Sequence, residues 1–345
     1  MSDYTERLDK IEAEIKIWLP EDSEAAEIKN IFPFMKEKVK TEALKALFRP
    51  GADIILRGGK RWRPLLMTLV CETLGGGDNA IPLAPLVEFS HNASLIHDDI
   101  EDDSDERRGK PAVHKIYGVD TAINSGSFLY FLSLSCIEAF KAENKGRIYR
   151  LWAEHLRKLH LGQAMDIRWH RDVKYIPSMD DYYIMCGLKT GALARLAVEL
   201  GAFSAGASDK TALFLSEAAE KLGIGFQVLD DLKNLTTGIP GKKRGDDIVE
   251  GKKSLPVIMY LNKYPEKREM IFFLLSAARI NGAASPEIEE VIETLTAAGV
   301  LEEAQEKADS LVKEAREIFK SPQYAGSHAS EEGRALLEGL ISMIS

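Results

Sequence analysis

Cysteine is scarce in this sequence, which has only Cys71, Cys136 and Cys186 in 345 residues. The three are widely separated, so neither a disulfide framework nor a CxxC metal site is indicated. Isolated thiols are typical of a protein in a reducing compartment, and we expect a cytoplasmic location.

Long apolar runs are missing as well. No segment approaches the roughly 18 consecutive apolar residues that a transmembrane helix requires. The N-terminal stretch MSDYTERLDKIEAEIKIWLPED is charged throughout and has no apolar signal-peptide core. The sequence therefore predicts neither a transmembrane segment nor a secretory leader.

Positively charged residues are in the minority. The sequence has 45 Lys and Arg residues and 54 Asp and Glu residues, which gives a formal net charge of −9 at pH 7. An acidic chain is a poor match for the phosphate backbone of nucleic acids, which excludes nucleic-acid binding as the main function. Small basic clusters can still bind the phosphate groups of small molecules.

Alternating strand patterns, internal repeats and Pro/Gly/Ser-rich linkers are also absent, whereas helical periodicity recurs. Apolar spacing from Leu8 to Leu19 predicts a first amphipathic helix within an N-terminal extension, residues 1–30. A second helix is predicted from Phe34 to Phe48, ending before Pro50. Further helical patterns cover residues 122–140, 149–169 and 212–235. We predict an all-α fold with its main domain over residues 31–345.

The most informative stretch is HDDIEDDSDERRGKP, residues 97–111, in which seven carboxylates fall within nine residues. Apolar periodicity upstream predicts that Asp98 and Asp102 lie at the C-terminal end of a buried helix, on one face. A helix C-terminus disfavours anions, so the pattern indicates a bound cation, and paired carboxylates suit Mg²⁺. Most acidic runs are solvated turns, but this one adjoins an apolar helix and two arginines.

A second polar set occurs at Gln227, Asp230 and Asn234, again spaced for one helix face. Basic segments at residues 60–63, 107–110 and 242–253 accompany the two acidic helix ends. Metals and cations together can hold a diphosphate, and apolar helix interiors below them suit a hydrocarbon tail. The expected ligand is an isoprenoid diphosphate.

These motifs resemble those of the trans-isoprenyl diphosphate synthases, or polyprenyl synthetases. The matching blocks are GGKRWRP, HNASLIHDDIEDDSDERRGKP, INSGSFLYF, LHLGQAMDI, LKTGALARLAV, GFQVLDDLKN and GDDIVEGKKSLP. DDIED, INSGSFLYF and DDLKN are most similar to geranylgeranyl diphosphate synthases of the eukaryotic kind. The resemblance implies an isoprenoid synthase fold, a single helical-bundle domain around a deep central cavity, and a homodimer.

The resemblance also implies a head-to-tail condensation of isopentenyl diphosphate with an allylic diphosphate, by ionisation, condensation and elimination. The departing diphosphate removes the proton, so no side chain is assigned as general base. The expected ligands of three Mg²⁺ ions are Asp98, Asp102 and Asp230, with Asp99 and Asp231 close by. The expected ligands of the allylic diphosphate are Arg107, Lys189, Lys252 and one of Lys242 or Lys243. The expected ligands of isopentenyl diphosphate are Lys60, Arg63, His91 and Arg108. Thr190 and Gln227 are expected beside the carbon at which the cation forms.

Two residues depart from the family pattern. Asn234 and Ser127 stand where many relatives have aspartate. Neither position is expected to bind metal directly, so the catalytic interpretation is kept.

Product length is predicted from the residues below the first motif. Ala93 and Ser94, about one turn deeper than Asp98, are small and leave room for growth past fifteen carbons. Tyr130 and Phe131, with His160, are candidates for the cavity floor. We predict geranylgeranyl diphosphate, C20, with a longer-chain or farnesyl diphosphate synthase as alternatives.

Two alternatives come from other functional classes. A terpene cyclase shares the fold and the first motif, but its second motif usually needs a glutamate where this chain has Gly238. A non-catalytic partner subunit is expected to lose aspartates or the basic loop, and this chain keeps both.

Overall fold

The computed structural model describes residues 2–19, 31–33, 35–36, 39–238, 243–321 and 330–344. Nearly all regular structure in these ranges is helical, so the all-α prediction is confirmed. The helices are α1 (Ser2–Ile17), α2 (Thr41–Leu56), α3 (Trp62–Thr73), α4 (Ala84–Glu101), α5 (Val113–Tyr117), α6 (Val119–Leu132), α7 (Ser135–Ala139), α8 (Lys145–Arg171), α9 (Met179–Cys186), α10 (Ala192–Ser204), α11 (Asp209–Leu235), α12 (Asp246–Glu250), α13 (Leu255–Lys263), α14 (Arg268–Asn281), α15 (Glu287–Ala297), α16 (Val300–Lys320) and α17 (Glu331–Ile344).

The chain divides into two compact units. Unit 1 comprises Met1–Glu154, Leu196–Ser216 and Ser321–Leu340, and unit 2 comprises His155–Arg195, Glu217–Lys320 and Ile341–Ser345. In unit 1, the apolar face of α4 packs against α6, with α1, α2 and α3 also in contact with α4. In unit 2, one apolar cluster joins residues of α9 and α11 to residues of α13, α14, α15 and α16.

Helix α1 is packed into unit 1. Ile11 and Ile15 are fully buried, and Arg7 forms a salt bridge of 2.7 Å with Glu72 of α3. The hydroxyl of Tyr4 donates to the carbonyl of Leu336 at 2.7 Å. The predicted boundary of the extension, at residue 30, lies outside the described residues.

Helix α2 differs from the prediction. It begins at Thr41 rather than at residue 34, which lies outside the described ranges, and it continues through Pro50 to Leu56. Proline inside a helix normally breaks the hydrogen-bond ladder at a cost of about 3 kcal/mol. Here the hydroxyl of Ser125, from α6, accepts from Gly51 N at 3.1 Å and donates to Leu47 O at 2.8 Å. One side chain thus bonds a backbone donor and a backbone acceptor of this turn, and the helix continues through Pro50.

Other predicted helices agree more closely. The predicted segments 149–169 and 212–235 lie within α8 and α11, whereas the segment 122–140 is interrupted after Leu132. No helix within the described ranges combines the length and apolarity needed to cross a bilayer.

A short β-hairpin follows the first acidic motif. Its antiparallel strands are β1 (Glu106–Arg107) and β2 (Lys110–Pro111). Arg108 and Gly109 have φ values of 55° and 72°, and two positive φ values are what a two-residue type I′ turn requires. Arg57, at the end of α2, donates to the carbonyls of Arg107 and Pro111 at 3.0 and 2.9 Å. The hairpin is therefore fixed to α2.

Glycines allow a close approach around the KTG motif. Residues Gly187–Gly191 form a π-helical turn between α9 and α10. A Cβ atom at Gly162 of α8 would lie 2.5 Å from the backbone nitrogen of Lys189, and one at Gly223 of α11 would lie 2.8 Å from Gly191 Cα. The glycines thus let these helices approach each other closely, and π-turns are frequent at functional sites.

Candidate active site

The first acidic motif lies at the C-terminal end of α4, as predicted. Asp102 caps the helix, and its backbone N–H donates to the carbonyl of Asp98 at 2.9 Å. These two residues stand one turn apart on the same face, and the side chain of Asp98 is 17% exposed. Two carboxylates thus lie where the helix dipole least favours negative charge.

Asp99, between them, is turned into the protein and is fully buried. Its Oδ1 accepts from Nε of Arg107 at 2.8 Å and also from Nη2. Within the described chain, no donor reaches its Oδ2. Burial raises the pKa of Asp99 to about 6, although Arg107 opposes the rise. Because Arg107 belongs to β1, this ion pair ties the hairpin to the acidic helix end.

The later acids of the run are solvated, as the sequence allowed. The side chains of Asp103 and Asp105 are 86% and 89% exposed, and both form salt bridges with Lys115. The acidic stretch therefore separates into a helix-end pair and a surface group.

A cationic cluster lies in the same unit. Nη1 of Arg63 lies 3.3 Å from Nε2 of His91. Burial, followed by the charges of Arg63 and Arg108, lowers the pKa of His91 well below its ordinary 6.5. A neutral His91 that accepts from Arg63 at Nε2 carries its proton at Nδ1 and remains a donor. Arg108 adopts a left-handed φ, which is uncommon for a residue other than glycine, and donates to Ile54 O at 2.7 Å.

The cations of the basic loop before α3 have different surroundings. Arg61 is 5% exposed, and its guanidinium pairs with Glu88 at 2.7 Å and with Glu12 at 2.6 Å. Arg61 is therefore not available to bind phosphate, although it lies within the basic segment at residues 60–63. Lys60 is exposed on the same loop.

The predicted floor residues differ in exposure. Ala93 is fully buried and Tyr130 is 9% exposed. The Tyr130 ring stacks on His97, with centroids 5.7 Å apart. Phe131 is 66% exposed and His160 is exposed. The burial pattern favours Tyr130 over Phe131, since an exposed ring cannot close an interior cavity.

Trp152 of α8 is a residue that the sequence reasoning missed. Its indole Nε1 donates to Ser90 Oγ at 3.0 Å. Ser90 lies two helical turns before Asp98 on α4, so the indole packs below the first motif. A tryptophan among shorter apolar residues of a helix is the signal that could have drawn attention to it.

Unit 2 contains the KTG lysine and its partner. Nζ of Lys189 donates to Asp166 of α8 at 2.7 Å, and both side chains are mostly buried. The sequence analysis named no role for Asp166. A diphosphate that binds Lys189 would compete with this carboxylate.

Thr190, Gln227 and Asp231 are joined by hydrogen bonds. The hydroxyl of Thr190 donates to Gln227 Oε1 at 2.8 Å, and Gln227 Nε2 donates to Asp231 Oδ1 at 3.1 Å. Oδ2 of Asp231 accepts from the Tyr182 hydroxyl at 2.7 Å and from Leu255 N at 3.1 Å. Sequence reasoning also missed Tyr182, whose position seven residues before Lys189 carried no chemical signal.

The two aspartates of the second motif occupy different environments. Asp231 is 6% exposed, and burial, with a contribution from the charge of Asp247, raises its pKa to about 7. Asp230 is only half-buried on α11. Asn234 is fully buried and its Oδ1 accepts from Asp247 N at 3.3 Å. Asn234 thus holds the loop after α11.

The remaining predicted cations follow α11. Lys252 pairs with Glu250 at 2.6 Å and lies 3.8 Å from Asp247. Lys243 is exposed. Lys242 lies outside the described residues.

The acidic side chains determine which metal the site could hold. In the described part of the chain, no three His, Cys, Asp or Glu side chains gather closely enough to hold an ion by themselves. Asp98 and Asp102 offer hard oxygen ligands, and Mg²⁺ usually takes one or two carboxylates together with substrate phosphates. The donor set therefore fits Mg²⁺ bound jointly with a diphosphate and lacks the nitrogen and sulfur ligands typical of zinc.

Similarity to known proteins covers most of the chain. The family profile described as polyprenyl synthetase matches residues 45–295. A short chain isoprenyl diphosphate synthase from Methanocaldococcus jannaschii is 36% identical over 275 residues, which cover 77% of this chain and 82% of the relative. A geranylgeranyl pyrophosphate synthase from Neocamarosporium betae is 32% identical over 312 residues, which cover 90% of this chain and 83% of the relative.

A solved structure has a similar fold. The geranylgeranyl pyrophosphate synthetase from Pyrococcus horikoshii Ot3 aligns with a TM-score of 0.81 and 27% identity. The alignment covers 99% of this chain and 97% of that structure.

Proposed function

This chain belongs to the polyprenyl synthetase family, and on that premise we propose that it is a prenyltransferase that produces geranylgeranyl diphosphate. It condenses isopentenyl diphosphate head-to-tail with allylic diphosphates. The observation that carries the proposal is the association of an acidic helix end, Asp98 and Asp102, with the nearby cations Arg107 and Arg108 of the hairpin. That combination suits a diphosphate bound together with Mg²⁺.

In the proposed mechanism, Asp98 and Asp102 would bind Mg²⁺ at the first motif and Asp230 would bind Mg²⁺ at the second, three ions in total. When bound, the ions supply Lewis-acid neutralisation of the charge that develops on the leaving diphosphate. Arg107, Lys189 and Lys252, with Lys242 or Lys243, orient that diphosphate through charge-assisted hydrogen bonds. The ion pairs of Lys189 with Asp166 and of Lys252 with Glu250 place each lysine beside a carboxylate that the diphosphate would displace.

The second substrate needs a site without metal. Arg63, His91, Arg108 and Lys60 are proposed to hold isopentenyl diphosphate. The lowered pKa of His91 supports a neutral imidazole, which donates one hydrogen bond and adds no further charge to the arginines.

The reaction then proceeds in a site shielded from water. The C1–O bond of the allylic substrate breaks, and the diphosphate leaves with the electron pair. The double bond of isopentenyl diphosphate attacks C1 and forms the new C–C bond. A proton is lost from the adjacent carbon to the departed diphosphate, which creates the new double bond. Thr190 and Gln227 present oxygen dipoles to the positive charge at C1.

We also propose that the protein acts as a cytoplasmic homodimer. The three cysteines are free and buried, which suits a reducing compartment. Exposed apolar residues Val119 and Ile123 on α6 offer a surface for a second copy. Light scattering of the purified protein would test the dimer.

The central test is product analysis. The purified chain is incubated with Mg²⁺, labelled isopentenyl diphosphate and dimethylallyl, geranyl or farnesyl diphosphate in turn. We expect geranylgeranyl diphosphate from each starter and no product when Mg²⁺ is chelated. A hydrocarbon formed from geranylgeranyl diphosphate would indicate a terpene cyclase, and activity only with a second protein would indicate a partner subunit; either result contradicts the proposal.

Substitutions below the first motif test the C20 assignment. Ala93→Phe introduces bulk one turn below Asp98 and should shorten the product, whereas Tyr130→Ala and Trp152→Ala should lengthen it. Phe131→Ala is the matched control, because that ring is exposed and should leave the product unchanged. An unchanged product spectrum in the first three variants would show that the chain grows elsewhere.

A further inference from the structure

Asp231 lies at the centre of a buried hydrogen-bond network. Its carboxylate determines which groups of the network donate and which accept. Its two oxygens accept from three donors, Tyr182 Oη, Leu255 N and Gln227 Nε2, at 2.7, 3.1 and 3.1 Å. Gln227 in turn accepts from the hydroxyl of Thr190 at 2.8 Å. We call these five residues the Asp231 network.

In its ionised form Asp231 can only accept hydrogen bonds, and the three contacts described above all come from donors. Gln227 must therefore turn its NH₂ group toward Asp231, which leaves Oε1 facing Thr190. Since that oxygen can only accept, the Thr190 hydroxyl must donate its single hydrogen to it. The charge on Asp231 thereby determines the orientation of a hydroxyl two side chains away.

We propose that Asp231 and Tyr182 are positioning residues that orient Gln227 and, through it, keep the hydrogen of the Thr190 hydroxyl away from the reacting carbon. The proposal rests on the proposed function, in which Thr190 lies beside C1. With its hydrogen committed to Gln227, Thr190 presents lone pairs to the developing cation. A dipole oriented before the reaction stabilises charge without reorganisation at the moment of ionisation.

The same contacts indicate different roles for Asp231 and for Asp230, its neighbour in sequence. Tyr182 and Leu255 anchor one oxygen and Gln227 engages the other, so the network assigns Asp231 to side-chain orientation instead of metal binding. Asp230, half-buried on the same helix, is left as the proposed metal ligand of this motif.

The test is the isosteric Asp231→Asn. Asparagine can still accept from Tyr182 and Leu255, but its NH₂ group then faces Gln227. The Gln227 amide must flip, and Thr190 becomes the acceptor. We expect kcat to fall roughly tenfold to a hundredfold, while KM for both substrates, the melting temperature and the half-maximal Mg²⁺ concentration stay within about twofold or a few degrees.

Two double variants test the direction of the network. Asp231→Asn combined with Gln227→Glu restores an acceptor that faces Thr190, so kcat should recover relative to Asp231→Asn alone. In a Thr190→Val background, which lacks the hydroxyl, Asp231→Asn should cause little further loss of kcat. Additive losses in that background would overturn the proposal, because Asp231 would then act independently of Thr190.

Tyrosine variants provide a graded comparison. Tyr182→Phe removes one donor from the Asp231 oxygen that Leu255 still contacts, and should lower kcat by roughly threefold. Tyr260→Phe is the control, since Tyr260 is also buried in unit 2 but packs against Tyr264. It should leave kcat unchanged.

The possible failures are distinguishable. A wild-type chain that forms no prenyl diphosphate overturns the proposed function and this inference together. An active wild type whose Asp231→Asn variant keeps its kcat overturns the inference alone. A raised Mg²⁺ requirement in Asp231→Asn would make Asp231 a metal ligand and would overturn it equally.

Discussion

Each acidic motif buries one aspartate, but the two units stabilise it by different means. In unit 1, Asp99 is paired with a cation, Arg107. In unit 2, the donors to Asp231 among the described residues are neutral: a tyrosine, a glutamine and a backbone amide. Burial raises the pKa of both carboxyls, to about 6 and about 7. The charged partner Arg107 holds the hairpin against the end of α4. The neutral donors around Asp231 instead include Gln227, whose orientation determines that of the Thr190 hydroxyl.

Substitution of the aspartate that precedes each buried aspartate should have the largest effect on activity. Asp98→Asn and Asp230→Asn each remove a proposed metal ligand, and we expect kcat to fall roughly a thousandfold in each variant with little change in melting temperature. The measurement is kcat at saturating Mg²⁺ and substrates. Asp105→Asn is the control, because that side chain is 89% exposed and should have no effect.

A loss of activity in only one of these two variants would show that the two acidic motifs have different roles. If Asp98→Asn were inactive and Asp230→Asn kept full activity, the second motif would have no metal-binding role. The two motifs would then differ in function as well as in the partners of their buried aspartates.

Asp99→Asn should destabilise the protein more than Asp231→Asn does. It leaves Arg107 without its closest charged partner, and we expect the free energy of unfolding to fall by about 2 to 3 kcal/mol. Asp231→Asn keeps most of its hydrogen bonds and should cost less than about 1 kcal/mol. Urea denaturation of both variants measures the difference, and equal losses would show that Arg107 contributes little to stability.

The smallest of the expected effects concerns a buried lysine and the pH dependence of stability. Lys253 of unit 2 is 2% exposed, and burial lowers its pKa to about 8 from an ordinary 10.5. Between these values the unfolded chain binds more protons than the folded one, so its contribution to stability rises with pH. Wild type should therefore gain roughly 2 kcal/mol relative to Lys253→Met between pH 7 and pH 10. Parallel urea titrations at the two pH values test this, and a constant difference would contradict it.

Helix positions and the acidic helix end could be predicted because the signals are local. The apolar spacing before Asp98 placed it at the end of a helix, and the exposure of Asp103 and Asp105 agrees with their position outside that spacing.

The errors came from long-range partners. Arg61 is paired with Glu12 and Glu88, which are far away in sequence, so the three cations of residues 60–63 looked equivalent. Tyr130 and Phe131 are adjacent aromatics on a helix that is apolar on several sides, and only the packing of α6 distinguishes the buried ring from the exposed one. The prediction that the second helix ends before Pro50 was wrong for the same reason, because Ser125 is distant in sequence.

The Ser125 bridge across α2 also bears on how the chain folds. Gly51 and Ser125 are 74 positions apart, so a chain emerging from the ribosome exposes α2 long before the residue that completes it. Until α6 docks, water must satisfy the amide of Gly51 and the carbonyl of Leu47. The middle of α2 therefore becomes regular only as unit 1 assembles, and the Gly51 amide should exchange its hydrogen at the rate at which α6 separates from α2.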